Sequence, residues 1–213
     1  MISESIHEAY VSHLVAGQYD ACRDVVEGVL AGGATLREVY ERLFTSSLYE
    51  VGERWTAGRV TVAVEHRATA ITERLLALVF PRALSSRDGA PRAVVACVVD
   101  EFHQLGGRIV ADSLELLGWD TEFLGAGTPL ARLVEVVAER EPSLVALSAS
   151  LRTSLPNVIS EVTELRAAAP AVPIVVGGHA FEPGTEGLFA GLRGVHHVRS
   201  LDDLEVFVRG LEG

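Results

Sequence analysis

The sequence contains no lysine: all 18 of its basic residues, among 213 in total, are arginines. A P-loop needs a lysine to reach the nucleotide phosphates, and a pyridoxal phosphate enzyme needs one to form its Schiff base. Both classes are therefore excluded. An enzyme with a lysine nucleophile is excluded for the same reason.

Cysteines and long apolar runs are also scarce. The two cysteines, Cys22 and Cys97, lie far apart in apolar surroundings, which predicts two reduced thiols in the core. No apolar run approaches the roughly 20 residues that span a membrane. The N-terminus carries Glu4 and Glu8 and does not resemble an export signal. We therefore expect a cytoplasmic protein that does not contact a membrane.

Acidic residues outnumber basic ones by 29 to 18, which gives a formal net charge of −11 at pH 7. No segment of the chain accumulates arginine. Because such a field repels a phosphate backbone, direct binding to nucleic acid is not expected. Hydrophobic residues make up 48% of the chain, which is ample for a packed core.

The composition changes once, at the segment LSSRDGAP (residues 84–91), whose Ser, Asp, Gly and Pro residues are typical of a linker. We therefore predict one domain at residues 1–84 and a second at residues 91–213. In the first domain, apolar residues recur at helical spacing and Thr35 can cap a helix. This pattern predicts a four-helix bundle, with helices over about residues 2–16, 19–30, 35–54 and 62–79.

In the second domain, strands and helices alternate. The seven apolar residues Ala93–Val99 predict a first strand that is buried on both faces of a parallel sheet. Four further strands are predicted over about residues 121–124, 144–147, 174–176 and 195–198, with helices between them. This rhythm predicts an α/β fold, in which the helical bundle is followed by a flavodoxin-like (Rossmann-type) sheet of five parallel strands.

Polar residues and glycines follow three of these strands. Glu101 and His103 come after the first strand, Ser148 ends the third, and the pair Gly177-Gly178 ends the fourth. The carboxyl ends of parallel strands meet at the sheet edge where ligands bind. His103 can bind a metal centre through one ring nitrogen while Glu101 accepts a hydrogen bond from the other. Taken alone, the turn is also that of an ordinary loop with a surface histidine, so the other two strand ends are what favour a site.

The turn Gly125-Ala126-Gly127 after the second strand offers an alternative nucleotide site. It has no third glycine in register and does not follow the first strand, as a dinucleotide fingerprint does. We therefore interpret these glycines as turn residues.

The three strand ends resemble the cobalamin-binding domain of the methionine synthase type, whose motif is D-x-H-x-x-G, then S-x-L, then G-G. The corresponding segments run from Glu101 to Gly106, from Ser148 to Ser150, and over Gly177-Gly178. Glu101 replaces the usual aspartate and Ser150 the usual leucine. Glycine at these positions leaves space for a nucleotide tail that passes close to backbone.

The resemblance implies that His103 is the lower axial ligand of cobalt, with Glu101 and Ser148 as a hydrogen-bonded relay behind it. It further implies a corrinoid cofactor whose tail enters the sheet. On this basis the predicted cofactor-binding residues of this domain are Glu101, Phe102, His103, Gln104, Leu105, Gly106, Ser148, Ser150, Gly177, Gly178 and His179.

The helical domain carries the pattern W-x9-E-H, formed by Trp55, Glu65 and His66. Taken alone, this is also a helix-terminal tryptophan with a solvated polar pair. Beside a corrinoid domain it resembles the helical cap of light-sensing, adenosylcobalamin-dependent regulators. That resemblance implies that Trp55 packs against the adenosyl group and that Glu65 and His66 offer it hydrogen bonds. Thr56 stands where some of those regulators have a second cobalt-binding histidine, and their winged-helix domain is not expected here.

Two classes of function remain open. The first is a regulatory module that binds adenosylcobalamin, responds to light, and acts through self-association or a separate regulatory protein. The second is a corrinoid protein that binds methylcobalamin and carries a methyl group between separate methyltransferases. A mutase is disfavoured because the sequence does not predict the barrel that would hold its substrate.

Overall fold

A computed structural model describes residues 2–80, 89–181, 185, 187–189 and 191–211. The chain divides into two compact units, Met1–Arg82 and Ala83–Gly213. The predicted linker at residues 84–91 falls mainly on residues 81–88, which lie outside the described residues. Within the described ranges, no helix combines the length and the apolar character that a membrane span requires.

The first unit is helical, as predicted. Its elements are α1 (Glu4–Ala16), α2 (Tyr19–Ala31), α3 (Leu36–Val39), a π-helical segment (Tyr40–Thr45), α4 (Ser46–Thr56) and α5 (Val62–Val79). The third predicted helix is thus continuous but contains a π segment, which periodicity did not indicate. Thr35 caps it through a reciprocal bond pair with Glu38. Tyr40 and Phe44 of the π segment stack in the buried core of the unit.

The second unit is a five-stranded sheet in which every strand pair is parallel. The strand order β2-β1-β3-β4-β5 is that of the flavodoxin-like fold, so the predicted fold class is confirmed. The strands are β1 (Arg92–Cys97), β2 (Asp120–Phe123), β3 (Leu144–Ser148), β4 (Ile174–Gly177) and β5 (Val195–His197). The helices are α6 (Leu105–Leu116), α7 (Leu130–Arg140), α8 (Leu155–Ala168) and α9 (Leu201–Leu211).

Both faces of the sheet are buried. Along β1, Val94 and Ala96 contribute to one apolar cluster, together with residues of α7 and α8. Ala93 and Val95 alternate with them and belong to a second cluster, with residues of α6 and α9. This explains why the strand has no polar alternation in its sequence.

Strand β1 ends at Cys97, two residues before the end predicted from the apolar run. The backbone N–H of Val98 still donates to the carbonyl of Ser148, at 3.1 Å. The chain then turns, and Asp100 adopts a left-handed conformation with φ +63°. The apolar run therefore continues beyond the strand into the turn that carries the candidate site.

Candidate functional site

The three predicted strand ends lie side by side at one edge of the sheet. Cys97, the last residue of β1, pairs with Ser148 of β3, and Ser148 pairs with Gly177 of β4. The turn with His103 therefore begins next to the ends of β3 and β4, at the edge where open α/β sheets bind ligands.

His103 and Glu101 are directly bonded. Nδ1 of His103 lies 2.5 Å from Oε1 of Glu101, and the backbone N–H of His103 donates to the same oxygen at 3.0 Å. The His103 side chain is 46% exposed, whereas that of Glu101 is fully buried. A buried carboxylate thus holds a half-exposed imidazole.

The second oxygen of Glu101 receives three further bonds. The backbone N–H groups of Ser150 and Leu151 donate to Oε2 at 2.8 and 3.1 Å, and the hydroxyl of Ser154 lies 3.3 Å away. Burial alone would raise the pKa of Glu101, but the bonds from His103, Ser150 and Leu151 outweigh it and lower the pKa to about 2. Glu101 is therefore an anion at neutral pH.

An ionised Glu101 fixes the tautomer of His103. A carboxylate only accepts hydrogen bonds, so Nδ1 carries the proton that lies between the two groups. In the neutral ring Nε2 then holds the lone pair. This arrangement, a carboxylate behind a histidine, is how metal-binding imidazoles are oriented in proteins.

Ser148 is placed differently from the expectation that it joins the relay behind His103. The hydroxyl that contacts Glu101 belongs to Ser154, because Glu101 is directed towards the segment that leads into α8. Ser148 is buried beside the first turn of α6: a Cβ built on Gly106 would lie 3.3 Å from its Oγ. Gly107 is equally close-packed, since a Cβ there would lie 3.0 Å from Phe123.

The glycine pair after β4 is required by the backbone itself. A Cβ on Gly177 would lie 2.9 Å from the carbonyl oxygen of Val198, and one on Gly178 would lie 2.3 Å from that of Ala149. Gly178 also has φ +112°, which side chains rarely adopt. The protein fold alone therefore demands glycine here, before any ligand is considered.

The remaining predicted residues of this unit lie between the end of β1 and the start of α6, and directly after the glycine pair. Phe102 is 77% exposed, although aromatic side chains are usually buried. Gln104 precedes the first residue of α6, and Leu105, which begins that helix, is buried. His179 follows the glycine pair and is exposed.

In the helical unit, Trp55 lies at the end of α4, and Glu65 and His66 lie near the start of α5, which contacts α4. Trp55 is 44% exposed and the His66 side chain 74% exposed. Glu65 is mostly buried and accepts a bond from the Thr69 hydroxyl at 3.1 Å. The unit thus presents a large aromatic surface that its own residues leave uncovered.

Sequence analysis missed three residues that support the turn: Ser154, which directly precedes α8, and Asn157 and Glu161 within α8. Asn157 and Glu161 bond the backbone of Val99, and Glu161 is buried. One signal was available: Glu161 interrupts the apolar face that Val158, Val162 and Leu165 form on α8. A carboxylate in that position indicates a specific partner.

Comparison with known proteins places this geometry in a family. Residues 91–199 match the B12 binding domain, and residues 6–79 match a second B12 binding domain family. The HTH-type transcriptional repressors CarA and CarH of Myxococcus xanthus are 35% and 34% identical to this chain, over 68% and 79% of its length. The chain spans 50% and 57% of the lengths of those two proteins.

Corrinoid proteins are similar as well. Trimethylamine corrinoid protein 1 of Methanosarcina acetivorans is 28% identical over 73% of this chain and 74% of its own length. The solved structure of the Methanosarcina barkeri monomethylamine corrinoid protein has a TM-score of 0.82 at 15% identity, and the match covers 97% of this chain and 99% of that one. The latter likeness shows the fold. Together with the matched families, these findings confirm the resemblance drawn from sequence: the chain belongs to the B12 binding domain family and is a cobalamin-binding module.

Proposed function

We propose that this chain is an adenosylcobalamin-dependent sensor module, in which His103 is the lower ligand of cobalt and Trp55 of the helical unit recognises the adenosyl group. The observation that carries the proposal is the exposed Trp55, beside the helix that bears Glu65 and His66. An exposed indole offers an adenosyl group an aromatic plane, which a methyl group is too small to cover.

The sheet edge fits the lower face of a corrinoid. It presents one imidazole whose Nδ1 is held by a buried anion, and a single nitrogen is what an axial position requires. Glu101 increases the basicity of Nε2, the ring nitrogen that would bind cobalt. When bound, cobalamin supplies a cobalt–carbon bond to its upper ligand. The residues of this chain would orient the cofactor and restrict access to that bond.

The output follows from the two ligand states. Trp55 would be covered by an adenosyl group in the dark and uncovered after light removes that group. Such a difference in contacts is what a ligand needs to shift a conformational equilibrium. The changed surface of the helical unit would then alter self-association or the binding of a separate regulatory protein. CarA and CarH, which are transcriptional repressors by name, support a regulatory role.

The test uses the purified protein loaded with adenosylcobalamin in darkness. Absorption spectra and gel filtration are recorded before and after green light. We expect the spectrum of a histidine-ligated alkylcobalamin that changes on illumination, together with a shift in elution volume. Stable binding whose spectrum, elution and partner affinity do not respond to light would contradict the sensor.

A methyl-carrying corrinoid protein is the second candidate. It is favoured by the similarity to trimethylamine corrinoid proteins, which this chain covers over about three quarters of their length. In that case separate methyltransferases would be the partners. Parallel titrations with methylcobalamin and adenosylcobalamin separate the candidates. Preference for the methyl form, with methyl transfer to an added methyltransferase, would favour the carrier.

A further inference from the structure

Two side chains of α8 hold both backbone polar groups of Val99, just beyond the end of β1. The N–H of Val99 donates to Oε1 of Glu161 at 2.5 Å, and the amide Nδ2 of Asn157 donates to the Val99 carbonyl at 2.9 Å. Asn157 and Glu161 are four residues apart and so lie on one face of α8. We call this pair the Val99 clamp.

The glutamate of the clamp destabilises the apolar core in which it lies. Glu161 is buried, and its helix neighbours Val158 and Val162 belong to the apolar cluster on this face of the sheet. Burial raises the pKa of Glu161, and the bond from Val99 offsets only part of that rise. The buried thiol of Cys97 in β1 is a second titratable group close enough to interact with it. An apolar side chain would fill this position at lower cost, so packing does not account for a glutamate.

The clamp acts on the turn that leads to His103. After Val99 the chain passes through the left-handed residue Asp100, and the N–H of Glu101 returns to the carbonyl of Val98 at 3.0 Å. Val99 therefore lies inside a tight turn, and its orientation sets the direction in which the following residues leave the sheet.

The far side of the same turn is held by the segment that leads into α8. Ser150, Leu151 and Ser154 bond the carboxylate of Glu101. One continuous stretch, residues 150–161, thus fixes the turn before and after Asp100. A ligand on a turn held at both ends is oriented before the metal arrives, which is the role of the outer groups around metal sites.

We propose that Asn157 and Glu161 are positioning residues for His103: by holding the N–H and carbonyl of Val99, they set the turn from which the imidazole reaches cobalt. The inference rests on the proposed function in one respect, the assignment of His103 as the lower ligand. It assigns no contact between the clamp and the cofactor.

The variants Glu161→Leu and Asn157→Ala each remove one half of the clamp. Glu161→Gln keeps an oxygen that accepts the Val99 N–H and serves as the conservative variant. Glu164→Leu is the matched control, because Glu164 is exposed on the same helix. Two quantities are measured: amide hydrogen exchange at Val99 in the cofactor-free protein, and the pH at which the bound cobalamin loses its histidine-ligated spectrum.

We expect Glu161→Leu and Asn157→Ala to raise that pH by about one unit, because protons then compete with a cobalt bond that is about tenfold weaker. Exchange at Val99 should accelerate in the same two variants. Glu161→Gln and Glu164→Leu should keep the values of the unmodified protein. Thermal unfolding of each variant separates a positioning role from a purely structural one. A purely structural role lowers the melting temperature and leaves unchanged the pH at which the histidine-ligated spectrum is lost.

Folded variants whose melting temperature falls, but which lose the histidine-ligated spectrum at the same pH as the unmodified protein, would overturn the inference. If Glu161→Leu does not fold, the same two measurements on Asn157→Ala and on the conservative variant Glu161→Gln test the inference. If the unmodified protein binds cobalamin without a histidine-ligated spectrum, the proposed function fails instead. The exchange measurement needs no cofactor, so in that case it still reports whether the clamp orders the turn.

Discussion

The sheet edge and the helical unit hold their candidate ligand-binding residues in different ways. At the sheet edge, His103 is bonded to Glu101, and Glu101 is bonded in turn to Ser150, Leu151 and Ser154. In the helical unit, Trp55 is 44% exposed and the His66 side chain is 74% exposed. The residues of the sheet edge therefore hold one another in place, whereas part of Trp55 is left open to a ligand or a partner.

This difference leads to separate expectations for the two regions. Changes at the sheet edge should alter cobalt ligation and, where the group is buried, the stability of the protein. Changes to the exposed residues of the helical unit should alter the choice of upper ligand and little else. The following predictions test that division.

Replacement of His103, the proposed cobalt ligand, should have the largest effect. His103→Ala removes the imidazole, so we expect loss of the histidine-ligated spectrum and a fall in cobalamin affinity beyond the roughly 100-fold upper limit for loss of an outer partner. Spectral titration measures both. His13→Ala is the control, since His13 lies on α1 in the other unit, bonded to Gln18. An unchanged cobalt spectrum in His103→Ala would contradict the assignment of the site.

Among the described residues of the sheet unit, the buried glutamates Glu101 and Glu161 should differ in how they titrate. Glu101 has a pKa near 2 and stays charged, whereas burial raises the pKa of Glu161 from its ordinary value of 4.5 to about 7. Between pH 4.5 and 7 the folded protein therefore keeps a proton on Glu161 that the unfolded chain has lost. The free energy of unfolding should fall as pH rises through this interval, by on the order of 3 kcal/mol.

Urea unfolding of the cofactor-free protein at pH 5 and pH 8 measures this loss. Glu161→Gln should remove most of it, because the amide does not titrate. Asp112, whose pKa burial raises to about 6, contributes in the same direction and remains in both proteins. If the unmodified protein and Glu161→Gln lose the same stability between these pH values, the environment assigned to Glu161 is wrong.

The charge of Glu101 should have a smaller effect on cobalt ligation than the loss of His103. In Glu101→Gln the group that holds Nδ1 of His103 is neutral. The imidazole then becomes a weaker electron-pair donor to cobalt. We expect cobalt ligation to weaken by about 10- to 100-fold, the usual range for such partners. The pH at which the histidine-ligated spectrum is lost reports the change, and Glu164→Gln on the exposed side of α8 is the control. If Glu101→Gln and Glu164→Gln lose the histidine-ligated spectrum at the same pH, Glu101 does not influence cobalt ligation.

The fold was largely predictable because it depends on local patterns. Apolar runs located the five strands, and the residues at their ends indicated the edge that carries the site. The contact between Glu101 and His103 was accessible for the same reason, since the two residues lie two positions apart. The π segment at Tyr40–Thr45 was not predictable, because it lies inside a continuous helix and leaves no clear period in the sequence.

The groups around Glu101 and Val99 could not be located from the sequence, because they lie about fifty to sixty residues further along the chain. Ser148 was expected to reach Glu101, yet the path of the turn brings Ser154 there instead. The glycine pair was assigned to ligand space, although Gly178 is already required by the carbonyl of Ala149. In each case the local residue type was informative, and the partner depended on the tertiary structure.

The smallest predicted effect is at Trp55, where it tests the helical unit directly. Trp55→Ala removes an aromatic surface that is 44% exposed. Loss of an aromatic contact to an adenosyl group should weaken adenosylcobalamin binding by about 1 kcal/mol, or roughly fivefold. Methylcobalamin binding should not change, because a methyl group does not cover the indole. Trp55→Phe, which keeps an aromatic ring, should fall between. Competition between the two cobalamins for each variant measures the ratio, and equal losses for both forms would mean that Trp55 supports the helical unit and does not select the upper ligand.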